Sequence, residues 1–276
     1  MAQTLLTLGR GLAVLELIAA SDRHLTAKEL SDSSGVNLST TYQVLRTLRD
    51  GEYIVRHKGG GYSLGPAVLR IAGQLDAMPT LPRVVEDALN TLFEKTGETS
   101  YLVGWWLSRI VMASILEGAH ALRVGRLDVG YSGTPHARAS CMSILAFLTS
   151  EDVRAYLADF ELDRRTSFTL DSIEAIESKL RTIRRQGYAV DNQEFALGIA
   201  CYSAPVFEAG GFPKFSLTVS LPVARLESKE TDIINEVLRA SALASRGLGY
   251  QGRLPNPTVS SLVQSVADPN DDDGSS

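Results

Sequence analysis

Between Asn37 and Leu48 the chain reads NLSTTYQVLRTL, and Gly51 to Gly65 follows at once as GEYIVRHKGGGYSLG. The first stretch gathers short hydroxyls, an amide and a guanidinium on or beside one helical face. Ser39, Thr40, Thr41, Tyr42, Gln43, Arg46 and Thr47 stand there, while Val44, Leu45 and Leu48 form the other side. Such side chains suit the edges of bases: Gln pairs with adenine through two bonds, and Arg reaches guanine or a phosphate. The second stretch alternates Tyr53, Val55 and then Tyr62, Leu64 around a Gly-Gly-Gly tip, which predicts a two-strand hairpin. Its basic residues Arg56, His57 and Lys58 would lie along a duplex backbone, adding affinity without sequence information.

A second group of polar residues falls in the latter half. Period two along FSLTVSL puts Ser216, Thr218 and Ser220 on one strand face and Leu217, Val219 and Leu221 on the other, and IACYSAPVF adds Cys201 and Ser203. Two readings stand side by side. The polar face meets solvent, or it lines a cavity in which a few hydroxyls orient a small molecule between apolar walls. In the second case Asp191, just before the strand, joins the site. So does the run His136 to Ser143, whose helix start could meet an anion, with Ser140 and Cys141 in it and Arg138 as a carboxylate partner. Trp105 and Trp106 point to opposite faces of their strand, so core is open to both and a pocket wall or interface to one.

The elements that must hold these residues follow from capping and periodicity. A helix from Arg10 to Ala20 turns Leu12, Leu15, Ile18 and Ala19 inward. Thr26 with Glu29 three residues on is a capping box, and Lys28 sits at that helix start beside the expected DNA surface. Ala27, Leu30 and Val36 face the core and Gly35 makes the turn, so the order is helix, turn, helix, wing. Pro66 opens a linker helix, PAVLRIAGQLDAM, which MPTLP ends. Helix Arg83 to Thr96, stopped at Gly97, begins a larger domain of paired strands TSYLVGWWL and RIVMASILE, turning near Leu107-Ser108. Helices at about 139–149, 151–159 and 171–187, two further strands and a helix from Lys229 to Arg246 complete an α+β arrangement. The expected organisation is therefore a winged helix-turn-helix at 1–65, a linker helix at 66–81, an effector-binding domain at 82–250 and a disordered acidic tail at 251–276.

Composition narrows the function classes. With 276 residues, 44% hydrophobic and 21% charged, the chain suits two globular domains. No run of 18 uncharged apolar residues and no basic start before an apolar core is present, so the expectation is a cytoplasmic protein off the membrane. Two distant cysteines, Cys141 and Cys201, make no disulfide framework, and with His120 and His136 they lack any metal-site spacing, so neither metal nor cofactor is expected. The net charge of −5 is unevenly spread: residues 1–76 carry eight Lys/Arg against seven Asp/Glu, the rest 19 against 25. That balance suits a dimer relying on shape and groove contacts, with weak non-specific binding. No P-loop, HExxH or GxGxxG occurs, and Gly130-Tyr131-Ser132-Gly133-Thr134 lacks the last glycine of a nucleophile elbow, so no catalytic residue is assigned.

Over nearly the whole span from Leu8 to Tyr250 the chain resembles the IclR family of bacterial transcriptional regulators. The resemblance is carried by LGRGLAVLELI, GVNLSTTYQVLRTLRDGEYI and YSLG, then by TGETSYL, TPHARAS, RRQGYAVDNQEFALGIACYSAPVF and SLTVSLPVARL. It implies a winged helix-turn-helix joined by a helix to a GAF-like α+β domain, acting as a dimer or tetramer whose DNA affinity responds to a small organic acid or aromatic metabolite. It puts effector-pocket positions on Asp191, Cys201, Thr218 and Ser220, with neighbours at 136–145. Leu38 and Gln43 replace basic residues usual in the family's recognition helix, implying weaker phosphate anchoring and a shifted base preference. Cys141-Met142 replaces its Gly-Lys, implying a less acidic or more apolar effector. Two other function classes compete: a metabolite-processing enzyme with a DNA-binding appendage, which turnover would reveal, and a ligand-independent DNA-binding protein, which any stabilising metabolite would exclude.

Overall fold

The computed structural model describes residues 5–73, 81–106, 108–118, 128–226 and 229–255. Of the tail expected to be disordered at 251–276, residues 256–276 lie outside the described residues, as do the end of the linker helix, Leu107 and His120, whereas Leu254 is 5% exposed and packs into the core of the second unit. Backbone contacts divide the chain into two units, Met1–Pro79 and Thr80–Ser276. Among the described residues no helix is long and apolar enough to cross a membrane.

The first unit contains α1 (Leu6–Ala19), β1 (Leu25–Thr26), α2 (Ala27–Ser34), α3 (Leu38–Asp50), β2 (Ile54–Arg56), β3 (Gly61–Leu64) and α4 (Pro66–Ala72). The three strands form one antiparallel sheet in the order β1-β3-β2. Its helix starts are set locally. Thr26 Oγ1 accepts from the Glu29 N–H while the Glu29 carboxylate receives the Thr26 N–H, and Asn37 Oδ1 accepts from the Thr40 N–H. Gly35 stops α2 at φ +67, a left-handed turn that a side chain would strain. Val14, Ile18, Ala27, Leu30, Val44, Leu45, Ile54 and Tyr62 pack as one core. Two phases differ from the sequence expectation. Leu12 and Ala19 are exposed because Val14 and Ile18 hold the inward stripe of α1, and in the wing Ile54 faces inward while Val55 and Leu64 are 41% and 40% exposed.

The second unit is an α+β fold. A five-stranded antiparallel sheet has the order β5-β4-β8-β7-β6, formed by β4 (Thr99–Trp106), β5 (Arg109–Leu116), β6 (Ala189–Asn192), β7 (Ile199–Phe207) and β8 (Pro213–Pro222). One face carries α5 (Arg83–Thr96) and α9 (Glu230–Gly247), packed on Leu102, Trp106, Tyr202, Leu217, Val219 and Leu221. The other carries α6 (Ala139–Leu145), α7 (Ser150–Leu157) and α8 (Ile173–Gln186), packed on Tyr101, Val103, Ile110, Met112 and Cys201. Trp106 belongs to the first layer. Trp105, on the opposite face, is half-buried against Tyr156 and Phe212. Gly104 is required where it stands, since a Cβ there would be 2.3 Å from the Trp106 ring.

The central strands are covered on both sides, and this overturns the solvent-facing reading of the polar strand face. Ser216 and Thr218 are fully buried beneath α6, and every residue of β7 is buried. Asp191 is not ahead of a strand but inside one: the short β6 pairs with β7 and places Asp191 opposite Cys201. Helix α6 is also shorter than its apolar spacing suggested, ending at Leu145.

Candidate functional site

In the winged-helix unit α3 turns Ser39, Tyr42, Gln43, Arg46 and Thr47 to solvent, with Lys28 exposed on α2 and Arg56 and Lys58 exposed on the wing. Arg46 is well placed to extend outward: its side chain is 78% exposed and, among the described residues, its ion-pair neighbour Asp50 stands 3.8 Å away. Two expected contact residues are committed elsewhere. Thr41 is fully buried, its hydroxyl donating to the Asn37 carbonyl at 3.1 Å and reaching the Val36 carbonyl at 3.3 Å, so it joins the core side of α3. The Thr26 hydroxyl is engaged in the cap with Glu29, donating to Oε2 at 2.8 Å. That cap, with the Arg23 guanidinium 2.7 Å from Glu29 first among the causes, holds the Glu29 carboxyl down at about 2. Thr40 is half-buried beside them.

In the second unit, strand register sorts the polar residues into two rows. Asp191, Cys201 and Ser220 lie side by side across β6, β7 and β8. One row over lie Ala189, Ser203, Thr218 and Tyr101. The second row satisfies itself. Thr218 Oγ1 donates to Ser203 Oγ at 2.9 Å, Ser203 shares a 3.0 Å bond with Ser143 Oγ, and Ser216 Oγ donates to the Ser140 carbonyl at 2.9 Å. These hydroxyls bolt α6 to the sheet: the Thr218 hydrogen is committed to Ser203, and that of Ser203 to Ser143, whose own goes to the Ser140 carbonyl.

What remains without partners is close by in sequence. Among the described residues the buried atoms without a partner are Nε and Nη2 of Arg138, Oγ of Ser140 and Nδ1 of His136, together with Nε1 of Trp106 in the other layer. Arg138 is 2% exposed; its Nη1 donates to the Gly133 carbonyl at 3.2 Å and its guanidinium lies 5.0 Å from the Tyr131 ring centre. Its Nε and Nη2 edge is the geometry that a carboxylate fills with two parallel bonds. His136 Nε2 sits 3.1 Å from the Asp163 carbonyl, which can only accept, so Nε2 carries a hydrogen. The start of α6 itself offers less than expected, because the Cys141 and Met142 N–H groups already donate to the Arg138 carbonyl.

The electrostatics centre on the first row. Burial raises the Asp191 carboxyl to about 7, aided by the charge of Glu194 and opposed by N–H bonds from Glu194 and Phe195 to Oδ1 at 2.7 and 3.2 Å. Burial likewise raises the Cys201 thiol to about 12, with Asp191 adding to it. That thiol donates to Ser220 Oγ at 3.4 Å and bonds the Tyr101 side chain, whose phenol burial pushes well above its usual range. Cys141 is a buried thiol raised by burial, with the Arg138 charge opposing. The Cys141 and Cys201 thiols and the Tyr101 phenol are neutral near pH 7, where the Asp191 carboxyl, at about 7, is close to half protonated, and the Arg138 cation acts on all three neutral groups. Among the described residues no group of three His, Cys, Asp or Glu could hold a metal.

The sequence reading missed three ring contributors: Tyr101, Tyr131 and Phe195. Phe195 packs edge-on to Tyr131 at 6.3 Å and is held by Arg165, whose guanidinium lies 4.4 Å from its ring. Tyr101 was legible in principle, because it shares the face of Val103 on an alternating strand. Tyr131 and Phe195 stand in loops, where periodicity carries no signal.

A winged helix-turn-helix joined in one chain to an α+β domain with a buried, part-unpaired polar site has the organisation of a transcriptional regulator with an effector-binding domain. The family model described as "IclR helix-turn-helix domain" matches residues 7–58, and "Bacterial transcriptional regulator IclR C-terminal" matches residues 78–245. The chain belongs to the IclR family of bacterial transcriptional regulators. It is similar to the transcriptional repressor IclR of Escherichia coli, 28% identical over 240 residues covering 85% of this chain and 87% of that one. It is likewise similar to the Pca regulon regulatory protein of Pseudomonas putida, 27% identical over 247 residues covering 89% and 83%. The crystal structure of the Thermotoga maritima IclR superposes with a TM-score of 0.67 at 24% identity, covering 90% of this chain and all of that one, and so shares its fold.

Proposed function

We propose that this chain is a cytoplasmic, sequence-specific regulator whose operator binding is set by a small organic carboxylate with an apolar or aromatic body. The observation that carries the ligand class is Arg138: a buried cation with two unpaired donors on one edge, walled by Tyr131, its charge acting with that of Asp191 on the Cys201 thiol. Carboxylate binding pairs both donors and neutralises the charge. Arg138, Asp191, Cys201 and Ser220 form the polar side of this site, with Ser140, His136 and Cys141 adjoining it. Ser203 and Thr218 hold the wall behind.

On the DNA side, Ser39, Tyr42, Gln43 and Arg46 read the major groove, and Lys28, Arg56 and Lys58 meet phosphates. Two copies related by a twofold axis read a pseudo-palindromic operator. Support for a second copy comes from the apolar residues left uncovered on α1 and α4: Leu5, Leu6, Leu8 and Leu12 are 51–70% exposed, Leu69 74% and Ile71 54%. A ligand changes DNA affinity only through unequal binding to the two arrangements of the DNA heads.

Mobility shifts on the intergenic DNA upstream of the chain's own gene test the assignment. Wild type retards the fragment and Arg46→Ala does not; a fragment that runs free with wild type, or that Arg46→Ala still retards fully, sinks the DNA contacts. Ser220→Leu, which fills the polar row, keeps DNA binding and abolishes ligand-dependent release. An unchanged ligand response removes Ser220 from the site.

A further inference from the structure

The wing histidine, His57, expected along the duplex backbone with Arg56 and Lys58, is paired with a second ring instead. His24, one residue before β1, and His57, one residue after β2, lie face to face, their ring centres 3.6 Å apart and their planes within 8° of parallel. His57 is fastened on its far side: Nε2 bonds Ser63 Oγ at 2.8 Å, and its N–H donates to the Gly61 carbonyl at 2.8 Å. Gly61 in turn lies so close to His24 that a Cβ there would stand 2.7 Å from the His24 Cβ. Arg56 and Lys58, the exposed cations of the wing, are the immediate neighbours of His57 in the chain.

The need for such a contact follows from the shortness of the sheet. β1 contributes two pairs, Leu25 with Tyr62 and Thr26 with Gly61, and β2 pairs with β3 over three residues. Hairpins of that length are marginal by themselves, and the tip at Gly59-Gly60 has no side chains to pack, its turn closed by the Gly60 N–H donating to the His57 carbonyl at 2.9 Å. We propose that the His24–His57 stack is a clamp that positions Arg56 and Lys58 for the DNA backbone, so that binding does not have to order the wing. The inference rests on the assignment of the wing to phosphate contacts. His24 and His57 act through the two cations and are positioning residues. Ordering the wing beforehand lowers the entropy lost on binding; without the stack that ordering cost offsets what Arg56 and Lys58 gain, and their phosphate contacts are largely not made.

The test uses the full chain and a duplex that wild type selects from a randomised pool, followed by fluorescence anisotropy from about 50 to 200 mM KCl. His24→Ala weakens binding about tenfold and lowers the salt slope by about one to two per DNA head, since each phosphate contact contributes about 0.9. His24→Phe keeps a stacking ring but no nitrogen, and binds within about twofold of wild type. Arg56→Ala and Lys58→Ala each cost less affinity in the His24→Ala chain than in wild type, because the clamp and the cations act in series. His57→Phe repeats the ring-only comparison from the other side should His24→Ala lower the thermal midpoint. The clamp is overturned by wild-type affinity and slope in His24→Ala, by His24→Phe binding as poorly as His24→Ala, or by additive losses. Failure of the underlying assignment looks different: Arg56→Ala and Lys58→Ala in the otherwise wild-type chain then leave affinity and slope unchanged, or wild type selects no duplex.

Discussion

Replacing Arg138 with methionine separates ligand recognition from folding, because the free protein gains little from this side chain. Its guanidinium makes one hydrogen bond, to the Gly133 carbonyl, and one contact with the Tyr131 ring, while Nε and Nη2 are buried without partners. A bond to a charged donor contributes about 1.5–3 kcal/mol, and a buried cation–π contact up to about 2 kcal/mol. Leaving two buried guanidinium nitrogens without partners costs about 1–3 kcal/mol for each nitrogen, which offsets those gains. Methionine keeps most of the apolar stem, so the thermal midpoint of the ligand-free protein should move by only a few degrees. The bound state differs sharply. Two charge-assisted bonds to a carboxylate amount to about 3–6 kcal/mol, so Arg138→Met should weaken binding at least about a hundredfold. At a ligand concentration a hundred times its dissociation constant, wild type gains about 2.7 kcal/mol, or about 5–10 °C for a domain of this size. The assay is thermal unfolding with aliphatic and aromatic carboxylates, each paired with its primary amide. A carboxylate should raise the wild-type midpoint, its amide should not, and neither should move Arg138→Met. An amide as effective as its acid, or an acid that stabilises Arg138→Met as well as wild type, refutes the reasoning.

Three further outcomes follow from the same geometry. Asp191 holds its proton to about 7 in the fold but releases it near the ordinary aspartate value when unfolded, so its contribution to stability is intact below that ordinary value and is lost as pH rises toward 7. The loss is about 1.4 kcal/mol per pH unit across that window; Asp191→Asn keeps an acceptor for the two N–H groups and should flatten the decline in midpoint between pH 5 and pH 7.5, parallel curves being the contrary result. Thr41→Ala should cost about 1–2 kcal/mol in the unfolding of the winged-helix unit while leaving the selected DNA sequence unchanged, since its hydroxyl serves the Val36 and Asn37 carbonyls; a changed base preference would return Thr41 to the DNA surface. Ser203→Ala strips a partner from Ser143 and Thr218 and should lower the midpoint of the second unit by a few degrees with carboxylate affinity retained, whereas a selective loss of affinity would mean that Ser203 touches ligand.

The sequence made the helices and their ends legible to the extent that neighbours a few positions away decide them. Thr26 and Glu29 close their box, Gly35 and Gly97 take left-handed turns, and α5 runs from Arg83 to Thr96 as its spacing indicates. The alternation of FSLTVSL correctly divided Ser216 and Thr218 from Leu217 and Val219. Less was legible where phase depends on a partner. Leu12 and Val14 are both apolar and only packing against α2 and α3 selects Val14. The four residues of β6 were too few to signal a strand without the β7 edge that they pair with.

By itself, then, the sequence determined the succession of elements, the two chemistries on offer and the family. Caps, turns and periodicities act over three or four residues, and the motifs span both domains. Only the tertiary structure decided which polar groups are free. Thr218 and Ser203 look as available as Ser220 along the chain, yet register and the arrival of α6 engage the first two with each other and with Ser143, some sixty residues away in sequence. Arg138 looks like any surface arginine until the sheet and Tyr131 close around it and leave two of its nitrogens without partners. A hydrogen-bonding group's availability is a property of what packs against it, and distant segments settle that only when the chain has folded.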